Sequence, residues 1–75
     1  MINSREKKPA APAMTPDACR RIRRSLSLTQ EQFAERLDVT ALTVLRWENG
    51  QTPISRGRAF AIRAVARAIQ SGGVA

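Results

Sequence analysis

Eleven of the thirteen cationic side chains in this sequence are arginines. A guanidinium presents a planar fork of N–H donors that fits phosphate oxygens and the O6/N7 edge of guanine, chemistry that a lysine point charge does not reproduce. Against six acidic residues the cations leave a net charge of +7, which points to a polyanion as partner, either nucleic acid or an anionic membrane surface. The charge is unevenly spread: residues 1–28 and 54–75 are basic, whereas 29–53 carry more acids than bases. Most hydrolytic chemistry lacks its parts here. There is no histidine, no glycine-rich phosphate loop and a single cysteine, Cys19, so a histidine general base and an intramolecular disulfide are excluded and a zinc site is not expected. The expectation is a protein that is not an enzyme, with no catalytic residue, metal or cofactor.

Seventy-five residues fill one small core, and an apolar fraction of 43% with 25% charged residues suits a folded domain. The apolar runs are too short and too often broken by arginine to span a membrane, and the first residues lack the apolar region of a signal peptide, so the cytoplasm is the expected compartment. Residues 1–14, with two prolines, mixed charge and no apolar period, are expected to be a flexible basic arm in which Lys7 and Lys8 could brush phosphates. Residues 15–71 are the expected folded domain, and 72–75 a disordered tail.

Four helix starts can be read in that domain. Thr15 followed by Pro16 and Asp17 predicts a helix to about Leu26, with Ala18, Cys19, Ile22 and Leu26 on its apolar side. Cys19 reads as a small core residue, the alternative being a redox thiol beside Arg20 and Arg23. Thr29 and Gln32 form a capping box for a second helix, about Gln30 to Leu37, with Leu28 at the staple position facing Phe33. Thr40 starts a third, about Ala41 to Asn49, closed by Gly50. At 100° per residue its inward side holds Ala41, Val44, Trp47 and Glu48, and its outward side Leu42, Arg46 and Asn49, with Thr43 and Leu45 at the edges. Ser55 starts a fourth, about Arg56 to Gln70.

The stretch IRRSLSLTQEQFAERLDVTALTVLRWENGQTP, Ile22 to Pro53, resembles the phage-repressor and Cro-like helix-turn-helix family, the xenobiotic-response-element type. The likeness rests on Leu28-Thr29-Gln30, Phe33-Ala34, Val39-Thr40 and Trp47-Glu48-Asn49-Gly50 taken together. It implies an all-α, lambda-repressor-like bundle of four or five short helices whose third helix, 41–49, enters the DNA major groove. It implies that Ala41, Leu42, Thr43 and Arg46 face the bases, that Gln30, Thr40, Asn49, Gln51 and Arg56 approach phosphates, and that Arg23 and Glu48 form an internal ion pair. A carboxylate at the inward position of Glu48 needs such a partner, because an uncompensated buried charge costs several kcal/mol. One departure matters. Relatives often read bases with Gln, Asn or Ser early in the third helix, where this sequence has Ala41 and Leu42, so Arg46 is left as the main reader of guanine.

The fourth helix raises the question of assembly. Ile62, Val65, Ala66 and Ile69 suit a side packed on the core, and Phe60 with Ala64 then lies nearly opposite, which marks a homodimer contact unless the phenylalanine folds back on the domain. Two modules on one duplex would supply the affinity that one lacks, with Arg20, Arg21, Arg56 and Arg58 as flanking phosphate contacts. The expected function is a sequence-specific double-stranded DNA-binding transcriptional regulator of bacterial or phage type, a nucleoid-associated repressor acting as a homodimer on an inverted repeat. The alternative is an antitoxin-type module that binds a toxin-like protein through exposed Leu42, Leu45 and Phe60. A cationic membrane-surface helix is the third reading, disfavoured by alanines where lipid binding selects bulky apolar residues.

Overall fold

Backbone donors and acceptors at helix ends decide where this chain turns. In the computed structural model, which describes residues 13–72, the Thr15 hydroxyl accepts from the Ala18 N–H at 3.0 Å and starts α1 (Pro16–Ser25). Thr29 and Gln32 close both bonds of a capping box at the head of α2 (Gln30–Leu37), at 3.1 and 2.9 Å. Asp38, at φ 59°, ends that helix in the left-handed region, a conformation that Asp tolerates better than most residues. Only Asp38, Val39 and Thr40 separate α2 from α3 (Ala41–Glu48), where the Thr40 hydroxyl accepts from the Thr43 N–H at 3.2 Å. Asn49 caps α3 and Gly50 follows at φ 78°, so the third helix stops one residue before its expected end. Ser55 caps α4 (Arg56–Gly72), which runs two residues beyond Gln70. The described residues thus form four helices, with no fifth and no strand.

The core lies between these helices. Cys19 of α1, Phe33, Ala34 and Leu37 of α2, Val44 and Trp47 of α3, and Ala59 and Ile62 of α4 are all buried. The inward side of α3 is the one given by its periodicity, with Glu48 buried among the apolar residues and Ala41 half-buried at its edge. On α4 the buried stripe starts a turn earlier than the wheel suggested: Ala59 is buried, while Val65, Ala66 and Ile69 are only half-buried.

One element of the core falls where an arm was expected. Met14 and Ile54 are both buried and form an isolated antiparallel β-bridge, reinforced by the Ala13 N–H donating to the Ile54 carbonyl at 3.2 Å. The expectation of a flexible arm through residue 14 is corrected at that point: a methionine side chain that fills a core gap removes apolar surface from water, and that gain orders the backbone preceding α1. Residues 1–12, with Lys7 and Lys8, and the tail at 73–75 lie outside the described residues. Gly72 itself belongs to α4.

Candidate nucleic-acid interface

Glu48 anchors the third helix. Its carboxylate is 3% exposed and accepts from Arg23 twice, from Nε at 2.7 Å and from Nη2 at 3.1 Å, and from the Gln30 amide at 3.1 Å. Arg20 adds a bond from Nη2 to the Glu48 carbonyl at 2.6 Å, which places a cation on the C-terminal end of α3, where the helix dipole favours it. Arg23 also donates through Nη1 to the Leu28 carbonyl at 2.9 Å. One carboxylate therefore ties α3 to α1, to the first residue of α2 and, through Arg23, to the turn between them.

The electrostatics follow from this crowd of donors. Burial acts to raise the Glu48 carboxyl, but hydrogen bonds from Arg23 and Gln30 and the charges of Arg23 and Arg20 outweigh it and hold the group below its ordinary range. The Arg23 guanidinium is pushed up, chiefly by its hydrogen bond to Glu48. Beside them, burial and the Glu48 carboxylate push the Cys19 thiol up to about 11. With no exposed surface at all, Cys19 is a core residue rather than a redox thiol.

Held this way, α3 turns its other face to solvent. Leu42 is 50% exposed and Leu45 38%, and Arg46 and Asn49 are exposed as well. Arg46 makes no side-chain hydrogen bond or ion pair among the described residues. Its guanidinium is available to a partner, and a helix about 10–12 Å across matches a major groove about 12 Å wide. The other two residues expected to face bases are less accessible. Ala41 is half-buried against the core, and the half-buried Thr43 has its hydroxyl 3.0 Å from that of Thr40.

The expected phosphate contacts divide into two sets. Thr40, Asn49, Gln51 and Arg56 are exposed, at the head of α3, its end, the following loop and the first residue of α4. That loop is braced on α3 by the Gln51 and Thr52 N–H groups, which donate to the Arg46 carbonyl at 2.9 and 3.3 Å. Gln30 and Arg20 are different. The Gln30 amide is half-buried and given to Glu48, and Arg20 is drawn onto Glu48 and, at 3.3 Å, Asp17. Both were expected at phosphates; here the Gln30 amide donates to the buried Glu48 carboxylate, and Arg20 donates to the Glu48 main-chain carbonyl with its Nε 4.0 Å from the carboxylate. Arg21 pairs with Asp17 at 2.7 Å on the surface, while Arg58 is exposed. Sequence reasoning had matched Arg23 to Glu48 but missed the roles of Arg20 and Gln30. The available signal was the helical spacing of Arg20 and Arg23, which puts both on one side of α1.

On α4 the side opposite the core carries Phe60, 74% exposed, and exposed Ala64, which line a shallow depression together with Arg63 and Arg67. The phenylalanine does not fold back on the domain. No cluster of potential metal ligands occurs among the described residues, and no described helix is long and apolar enough to cross a membrane.

Comparison with known proteins adds one finding. The family model described as helix-turn-helix matches residues 20–67, nearly two thirds of the chain, from the middle of α1 to the later turns of α4. No curated protein matches the chain.

Proposed function

Because the chain belongs to the helix-turn-helix family of DNA-binding transcription regulators, we propose that it is a sequence-specific repressor that binds an inverted-repeat operator as a homodimer, with α3 inserted in the major groove. The observation that carries this reading is the exposed face of α3, where Arg46 stands unpaired among the described residues on a helix whose opposite side is fixed by the Glu48 network. In this reading Arg46 donates to a guanine edge, Ala41, Leu42 and Thr43 line the same groove, and Thr40, Asn49, Gln51 and Arg56 meet the flanking phosphates. Repression follows from occlusion of a promoter, and the protein is not an enzyme and works in the cytoplasm on the nucleoid. Two copies pair through Phe60 and Ala64 of α4, an arrangement supported by the 74% exposure of an aromatic ring that a monomer would leave in water.

Selection of bound duplexes from a random pool at physiological salt tests the proposal. The expected result is an inverted repeat whose half-site centres lie about 10 base pairs apart, or a multiple of that. Salt-sensitive binding with no enriched sequence would overturn it. The exposed Leu42, Leu45 and Phe60 also favour a second reading, an antitoxin-type module that holds another protein and touches DNA secondarily. That reading predicts the second outcome.

A further inference from the structure

Apart from Arg46 and the terminal Asn49, the exposed face of α3 carries leucines where a DNA reader would usually be polar. Leu42 and Leu45 stand on it at 50% and 38% exposure, three residues apart, and Leu42 lies one turn from Arg46. The hydroxyl of Thr43, at the edge of that face, is engaged with that of Thr40 at 3.0 Å. A half-exposed leucine gains nothing in a wet groove unless it covers another apolar group. The floor of the major groove offers one such group, the C5 methyl of thymine. The spacing is compatible: residues 42 and 46 are about 6 Å apart along the helix axis, one to two base steps of about 3.4 Å.

We propose that Leu42 and Leu45 read thymine methyl groups, so that each half-site holds thymine within one or two steps of the guanine bound by Arg46. This rests on the reading of the chain as a sequence-specific DNA binder and adds the chemistry by which it discriminates. Specificity then has two parts: a hydrogen-bonding fork for guanine, and a hydrophobic contact that senses the one methyl by which thymine differs from uracil.

The test uses the full chain and the duplex recovered by selection, remade with 2′-deoxyuridine in place of each thymine in turn. Base pairing is kept and only the methyl is lost. At one or two positions per half-site, affinity should fall about three- to fivefold, the effect of one buried methyl group. Leu42→Ala and Leu45→Ala should bind the thymine duplex more weakly and the deoxyuridine duplex as the parent does, which removes the discrimination. Both leucines are solvent-facing, and circular dichroism of the variants should match the parent. Equal affinity for every deoxyuridine duplex would overturn the proposal while leaving sequence-specific binding intact. Discrimination that survives in both alanine variants would overturn it too. An enriched motif whose binding ignores both leucines would overturn it as well and leave the apolar face to a protein partner as the reading to test. Absence of any motif would remove this inference together with the reading beneath it.

Discussion

Glu48 is a charged residue at a core position, and its cost in desolvation is offset only because three side chains converge on it. Removing one should therefore matter more than an exposed ion pair would. Arg23→Ala is expected to lower stability by about 3 kcal/mol, a fall in Tm on the order of 15 °C for a domain of this size, measurable by thermal melting. The same group makes the stability of the fold depend on acid pH. Because the carboxyl sits lower in the folded protein than its ordinary 4.5, the stabilisation it gives is fully present above about that pH. It is lost as the pH falls through the lower folded value. Melting temperatures of Glu48→Gln should accordingly be reduced at neutral pH and should vary less than the parent's below about pH 4.5. An equal acid slope in the two proteins would assign the acid transition to other groups.

At the scale of elements, the tight passage from α2 to α3 fixes how the exposed face is presented. Asp38 takes a left-handed conformation that glycine adopts without strain, so Asp38→Gly should leave the fold intact and raise stability by up to about 1 kcal/mol, seen as a higher denaturant midpoint. Arg46→Ala belongs to this scale as well, since its effect depends on where α3 aims it. It should cost about 1–3 kcal/mol on the selected duplex and little on random DNA, with unchanged thermal stability. Most of this architecture is legible in the sequence. Thr15, Thr29, Thr40 and Ser55 mark helix starts through local hydrogen bonds, and local bonds are written in local sequence. The parts that were not legible depend on long-range partners. Arg20 and Gln30 look like surface cations and amides until Glu48, 28 and 18 residues away, comes within reach. Met14 looks like part of a polar arm until Ile54 is folded beside it. The burial of Ala59 is not legible either, because an alanine on a mostly apolar wheel carries too little signal to fix the helix rotation.

For the whole molecule, the exposed Phe60 and Ala64 set the expected assembly. Phe60→Lys should abolish pairing, giving a monomer in sedimentation equilibrium with unchanged helix content, and should weaken operator binding at least tenfold through loss of the second half-site. A dimer that persists would move the contact elsewhere. The Met14 to Ile54 bridge has a practical corollary for handling the protein. It joins the chain's approach to α1 onto the loop between α3 and α4, the edge proposed to lie against phosphates. Whatever precedes Ala13, whether native residues, an affinity tag or a fluorophore, enters the domain at that edge. The far end of α4 is about 24 Å along its axis from Arg56, so a label carried there would report on the protein from outside its proposed footprint, while one attached at Ala13 would lie at the edge proposed to face the duplex.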